Sequence, residues 1–308
     1  MLAILSSTFI GLGLFLLGMK YLTEGLNRII SGPFKNMMKN IKIHPIFGVF
    51  IGFVMTGLLQ SSSTTTVIIV GLVDSGLINL HQATPMIMGA NIGTTITSQI
   101  LAFQPNKYIF IPFFIGIIFS FFKRNKKIVF LGEVLLGFSL IFIGMDLLGK
   151  AVIPLQNYIK FQKILWEFGK NPILGILIGF CITAIIQSSS TGVAILQSLA
   201  NNNIISLPTA IMILLGQNVG TCVTALISSI HLSPMGKRAA LIHLFLNIMG
   251  IIFILPFINI LIQISYTLSP LNPSRQIANA HTLFNIFSTI TLLPFRSIFV
   301  KMSAFIVE

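Results

Sequence analysis

Charge is scarce in this sequence, and acidic charge is scarcer. Of 308 residues, six are aspartate or glutamate, two are cysteine and one is tryptophan, against nineteen lysines and arginines. Charged residues make up 8% of the chain, where a soluble domain carries roughly 25%. Such a chain cannot cover a water-facing surface. With 55% hydrophobic residues and a mean hydropathy of +0.96 it reads as an integral membrane protein. The net charge of +13 does not point to nucleic acid, because the basic residues fall between apolar runs rather than on one face. Cys181 and Cys222 both lie in apolar runs, read as small membrane-buried residues, and have no disulfide or metal spacing. Serine-nucleophile chemistry is excluded: no G-x-S-x-G occurs, and no histidine or carboxylate pattern accompanies the serine runs. Neither a Walker A string nor a dinucleotide fingerprint is present. The N-terminus has no basic n-region and no small-residue cleavage pattern, so residues 3–22 read as a transmembrane helix rather than a signal peptide.

What is there is one polar string written twice: Gln60-Ser61-Ser62-Ser63-Thr64 and Gln187-Ser188-Ser189-Ser190-Thr191. Each sits inside an otherwise apolar stretch. Polar side chains at membrane depth are costly unless they line a cavity or meet a ligand. The first string centres residues 45–73 and the second 172–200, leaving arms of about 14 residues, short of the roughly 20 needed to cross. Two short arms around a polar tip predict a re-entrant helical hairpin; a single kinked span is the alternative.

Residues 172–230 match 45–103 without a gap, with about 23 of 59 positions identical, among them Gly48/Gly175, Gly52/Gly179 and Thr56/Thr183. Gly89, Asn91, Gly93 and Thr94 return as Gly216, Asn218, Gly220 and Thr221, and residues 11–22 are echoed by 137–148. This is an internal duplication. Two glycines and an asparagine in the middle of span 82–102 predict a place where that helix unwinds. Residues 23–44, with Arg28, Lys35, Lys39 and Lys42, read as an interfacial amphipathic helix. Spans at 107–122, 238–258 and 277–297 complete a count of seven full spans plus two hairpins. The last two spans resemble each other through His243/Asn247 with Pro256 and His281/Asn285 with Pro294.

With re-entrant hairpins the chain crosses three times between equivalent points, so the two repeats have inverted topology. One side then collects about thirteen basic residues and the other about six. The richer side is cytoplasmic and includes the C-terminus. The expected organisation is an all-α membrane protein with repeat 1 at 1–127, and repeat 2 at 128–308 including an extra C-terminal span at 277–297.

Hydroxyl and amide oxygens can coordinate a hard cation such as sodium, while hydroxyls and helix-start N–H groups can hold an oxyanion. No lysine or arginine lies in either string, so an anion here would meet neutral donors. Small residues that merely pack helices are the plain alternative, one that a duplicated string with a duplicated Gly-Asn-Gly-Thr companion argues against. Glu133 and Asp146 are intramembrane acids, with Asp146 aligning to Lys20; His243 and His281 fall four residues before Asn247 and Asn285, on one helix face, which favours bonding between helices.

The doubled QSSS strings, the GANIGTT and GQNVGTC strings, and the A-x-x-H-x-x-F-N pattern of Ala278, His281, Phe284 and Asn285 together resemble the sodium/phosphate cotransporter family, type II. The resemblance covers nearly the whole chain. It implies no enzyme and no cofactor, but sodium-coupled import of inorganic phosphate by alternating access at the cell inner membrane. Carried over by position, it assigns phosphate to Ser61, Ser62, Ser63, Ser188, Ser189 and Ser190. It assigns sodium to Gln60, Thr64, Thr65, Asn91, Thr94, Gln187, Thr191, Asn218 and Thr221. Family members with a further cytoplasmic domain resembling the regulator PhoU are longer, and the sequence ends at Glu308, so that domain is expected to be absent here. A homodimer and a separate PhoU-like regulator stay open as partners. Thr65 and Thr66 become Gly192 and Val193, so the two halves are not chemically equal. A carrier of another anion, proton coupling and a non-transporting phosphate sensor are the rival readings.

Overall fold

The computed structural model describes residues 2–30, 44–103, 109–122, 125–153 and 171–307. No strand occurs among them. The chain forms α1 (Leu2–Ile30), α2 (Pro45–Leu59), α3 (Ser62–Asp74), α4 (Leu80–Leu101) and α5 (Phe110–Ser120). Next come α6 (Lys126–Val152), α7 (Pro172–Ile186), α8 (Ser189–Asn201), α9 (Leu207–Gly220) and α10 (Cys222–Ser229). The last helices are α11 (Pro234–Ile254), α12 (Ile258–Thr267), α13 (Pro273–Leu292) and α14 (Arg296–Ile306). The stretches Lys126–Leu148, Leu207–Ser229, Pro234–Thr267 and Pro273–Ile306 are long and apolar enough to cross a membrane. Exposed Phe9, Phe50, Phe114, Phe253, Ile290 and Phe305 give the molecule an apolar exterior.

Local signals set the helix boundaries. Proline opens α2, α7, α11 and α13, where its missing N–H costs nothing. Asn79 and Gln82 form a capping box at the start of α4, each bonding the other's backbone at 2.9 Å. Pro256 and Pro294 interrupt the two long C-terminal stretches as short 3-10 turns, at Leu255–Phe257 and Leu293–Phe295.

The two polar strings fall at helix breaks. Gln60 and Gln187 adopt left-handed backbone, with φ of 51° and 55°, and the next residue caps a new helix. Glycine contacts fix the direction in which each new helix runs. Gly52 of α2 meets the Met86 carbonyl, while Gly89 and Gly93 of α4 meet the carbonyls of Val49 and Phe53. Residue numbers rise together along this seam, so α2 and α4 are parallel and α3 must run back between their ends. Gly179, Gly216 and Gly220 build the same seam between α7 and α9, and α8 returns likewise. Each arm of α2 or α7 has 15 residues, about 22 Å of helix.

A second seam joins the halves. Gly11 of α1 packs on Gly144 and Leu148 of α6, and Gly18 on Gly137 and Ile141, so the two helices are antiparallel. The contacts are reciprocal: Gly11 and Gly18 correspond by duplication to Gly137 and Gly144, and each meets the other's counterpart. Apolar cores fill both sides, one around Ile69, Met86, Ile242 and Phe299, the other around Leu196, Ile213, Ile277 and Phe284.

Three expectations change. The helix does not unwind at Gly89–Thr95: α4 runs unbroken to Leu101. Its glycines serve close approach to α2, and Thr94 and Thr95 bond back to the carbonyls of Ala90 and Ile92 at 3.0 and 2.7 Å. Only the second copy breaks, at Thr221. Residues 23–30 extend α1 instead of starting an interfacial helix, because nothing there stops the helix; 31–43 lie outside the described residues. Cys181 is on the exposed face of α7, since Gly175, Gly179 and Thr183 take the packed face; Cys222 is buried.

Candidate functional site

Both hairpin tips open into one cavity of about 340 Å³, lined by Gln60 to Thr64 and by Gln187 to Ser190. The breaks explain its chemistry. In α3 the first intrahelical bond is Thr65 N–H to the Ser61 carbonyl, and Thr64 N–H is taken by Ser61 Oγ at 3.2 Å. The N–H groups of Ser62 and Ser63 precede both bonds and have no acceptor within the helix. The second tip repeats this, with Ser188 Oγ accepting from Thr191 N–H at 3.3 Å. Ser61 and Thr64 hydroxyls stand 2.8 Å apart, as do those of Ser188 and Thr191. Two helix starts with their partial positive charge therefore face the same space as the tip hydroxyls.

The tips are anchored differently. Gln60 is buried: its amide nitrogen donates to the Gly57 carbonyl, and its Oε1 accepts from Thr97 Oγ1 at 3.0 Å. Gln187 is exposed, and its described anchor is its backbone N–H to the Thr183 carbonyl at 2.7 Å. Thr65 donates to the Ser61 carbonyl at 2.9 Å. In the second half Gly192 takes its place, and the Gln217 amide, which has Ala90 as its counterpart, fills the space, 2.7 Å from where a Gly192 Cβ would sit. Gln217 Oε1 is buried without a partner, as are Thr56 Oγ1 and Thr183 Oγ1 at matching positions of the two halves.

The remaining residues expected at the site do not line this cavity. Asn91 accepts from His243 Nε2 and donates to Asn247 Oδ1, both at 3.3 Å. Asn218 Oδ1 accepts from His281 Nε2 at 3.3 Å and from Asn285 Nδ2 at 3.4 Å. The His–Asn pairs thus join α11 to α4 and α13 to α9. Thr94, Thr191 and Thr221 use their hydroxyls locally, on Ala90, Ser188 and Asn218.

Two lining residues escape sequence reasoning: Lys20 and Glu24, which α1 brings to the cavity wall 4.0 Å apart. Glu24 also meets Arg28 at 3.4 Å, and Arg28 meets Glu133 at 2.7 Å. Basic character among residues 20–28 is visible in the sequence, but the crossing of α1 beside the tips is not. Asp146 pairs with Lys150 at 2.7 Å on the surface. A larger cavity of about 670 Å³ is lined mostly by apolar residues such as Phe53, Ile96, Phe103, Phe138 and Ile286, and its polar members Thr95, Gln99 and Thr282 already donate to Ile92, Asn279 and Ala278.

The sequence profile of the family described as Na+/Pi-cotransporter matches residues 14–150 and 156–271. The chain is 32% identical over 265 residues to the uncharacterized protein YqeW of Bacillus subtilis (strain 168), covering 86% of either chain. It is 30% identical over 212 residues to YjbB of Escherichia coli (strain K12), whose name proposes inorganic phosphate export; this match covers 69% of the chain and 39% of YjbB. A shorter match, 51% over 59 residues, is to sodium-dependent phosphate transport protein 2A of Rattus norvegicus, covering 19% of the chain and 9% of that protein. No solved structure matches.

Proposed function

Because the chain belongs to the Na+/Pi-cotransporter family, a family of transporters and not of enzymes, we propose that it is a secondary carrier importing inorganic phosphate with sodium. The observation that carries this reading is the single cavity into which both QSSS tips open. Ser61, Ser62, Ser63 and Ser188, Ser189, Ser190 hold phosphate there with hydroxyls and helix-start N–H groups. Neutral donors of this kind bind an oxyanion and also let it go, as a carrier must. Gln60, Thr64, Thr65, Gln187 and Thr191 supply oxygens to sodium at the tips, and Asn91, Thr94, Asn218 and Thr221 do so behind them. The unpartnered oxygens of Thr56, Thr183 and Gln217 support cation binding in this layer.

Alternating access follows from inverted repeats, 1–127 and 128–308, with seven spans, two re-entrant hairpins and a cytoplasmic C-terminus at the inner membrane. The reciprocal antiparallel seam of α1 and α6 supports this reading, since a two-fold axis perpendicular to both helices relates their glycines. The out-and-back course of α2–α3 and α7–α8 supports the hairpins. In this arrangement α11 serves repeat 1 and α13 serves repeat 2 through their His–Asn pairs. The name of YjbB favours a second reading, outward flow through the same cavity, in which the prevailing gradients set the direction.

The test is labelled phosphate uptake into proteoliposomes under an inward sodium gradient or an equal potassium gradient. Sodium-specific uptake is expected. Ser63→Ala with Ser190→Ala should lower it by roughly a hundredfold or more, the loss of two hydrogen bonds to a charged ligand at about 1.5–3 kcal/mol each. Uptake that ignores sodium discards the coupling ion, and wild-type uptake in the double variant discards the site.

A further inference from the structure

A second, smaller cavity lies between α4, α11 and α13, apart from the hairpin tips. Its volume is about 10 Å³, close to what one water-sized particle needs. Its polar lining is Asn91, Asn247, Asn285, Ser288 and Thr289. The amide nitrogens are already engaged. Asn91 Nδ2 donates to Asn247 Oδ1 at 3.3 Å, Asn247 Nδ2 to the His243 carbonyl at 3.0 Å, and Asn285 Nδ2 to the His281 carbonyl at 2.9 Å. The Oδ1 atoms of Asn91 and Asn247 each accept one bond already, from His243 Nε2 and Asn91 Nδ2 at 3.3 Å, and keep a second lone pair for an occupant.

Ser288 narrows the choice. Its hydroxyl is buried without a hydrogen-bond partner. It faces Gly250, where a Cβ would stand 2.6 Å from Oγ. Gly250 follows Asn247 by three residues, as Ser288 follows Asn285. One copy of the C-terminal echo clears space and the other places a hydroxyl in it. A water molecule fits this volume as well, giving its hydrogens to amide oxygens and accepting from the Ser288 and Thr289 hydroxyls. An anion would face lone pairs. A small hard cation meets several neutral carbonyl and hydroxyl oxygens at once.

We infer that this cavity is a sodium site formed by Asn91, Asn247, Asn285, Ser288 and Thr289, in which one ion bridges α4 to both α11 and α13. Only Asn91 is shared with the site proposed above, and the inference does not require that the tips hold phosphate. Because α11 and α13 bind opposite repeats, an ion here ties the two repeats together.

The test is thermal unfolding of the purified protein in detergent, titrated with sodium chloride against potassium chloride at constant ionic strength, without phosphate. Sodium should raise the wild-type midpoint where potassium does not. Ser288→Ala removes an unpartnered hydroxyl, so the variant should be at least as stable as wild type in potassium. Its half-saturating sodium concentration should rise roughly five- to thirtyfold. Gly250→Ala, whose Cβ would displace the Ser288 hydroxyl, should blunt the sodium response in the same way. Gly13→Ala, which meets nothing within 4 Å, should keep the wild-type titration. Absence of a sodium-specific shift in wild type overturns the inference. So does a wild-type titration in Ser288→Ala and Gly250→Ala, which would leave water as the occupant. A protein that titrates sodium normally but moves no phosphate refutes the proposed function alone.

Discussion

Lys20 offers a direct test of the proposal that the tip cavity holds phosphate. It lines the wall of the tip cavity, is largely exposed, and stands 4.0 Å from Glu24. At an ammonium–phosphate separation of roughly 7 Å and an effective dielectric between about 40 and 80, the attraction is about 0.6–1.2 kcal/mol per phosphate charge. That corresponds to about a three- to sevenfold change in binding for a monoanion. Lys20→Gln should therefore raise the KM for phosphate by about that factor at low ionic strength, with little change in maximal rate. Lys20→Arg should keep most of the affinity. Glu24→Gln should move KM the other way, because it removes the carboxylate that opposes the anion. The effect should shrink as salt is raised to about 0.15 M, where charges separated by more than about 8 Å are largely screened. The assay is initial-rate uptake in proteoliposomes at fixed sodium across a phosphate series. If both neutral variants shift KM in the same direction, or if neither shifts it, the wall charges do not act on the substrate.

Other consequences of the structure can be checked on purified protein. Gly89→Ala places a Cβ against the Val49 carbonyl and should destabilise the fold by about 1–3 kcal/mol or more in thermal unfolding, whereas Gly13→Ala meets nothing within 4 Å and should be neutral. Gly192→Thr should clash with the Gln217 amide, and adding Gln217→Ala should rescue it, because the pair then reproduces Thr65 with Ala90; additive losses in the double variant would refute the exchange. Ser98 Oγ lies 2.6 Å from His281 Nδ1. With Nε2 donating to Asn218, Nδ1 is an acceptor, so Ser98→Ala should cost about 1–3 kcal/mol of stability by stranding it. Equal unfolding midpoints would show that the imidazole finds another partner.

Much of the fold is legible in the sequence because the relevant signals are local. A polar string in an apolar run marks a helix break, and breaks are found at Gln60-Ser61, between α2 and α3, and at Gln187-Ser188, between α7 and α8. The i, i+4 spacing of His243 and Asn247 foretells bonding between helices, but not that Asn91 is the partner. Glycine is ambiguous. In sequence Gly89 and Gly93 read equally as flexibility or as room for a neighbour, and only the approach of α2 decides between them. Lys20 and Glu24 are invisible as lining residues because nothing within residues 1–30 reports where α1 passes relative to residues 60 and 187.

The differences between the two halves are concentrated where the chemistry is, on a scaffold that is otherwise matched. Gly52, Gly89 and Gly93 of the α2–α4 seam match Gly179, Gly216 and Gly220 of the α7–α9 seam, although only the second half breaks, at Thr221. The side chains differ as well. Gln60 is held by Gly57 and Thr97, while Gln187 is exposed. His281 Nδ1 has Ser98, but Ala225 stands at the corresponding position of the second half, and His243 Nδ1 is buried without a partner. Each buried hydrogen bond is worth about 1 kcal/mol, so a bond kept in only one of two conformations would shift their balance by about fivefold. A carrier built from equal halves would favour neither orientation of its cavity. If the tips move in transport, as the proposed function requires, the second hairpin, whose glutamine faces open space, has fewer described hydrogen bonds to break.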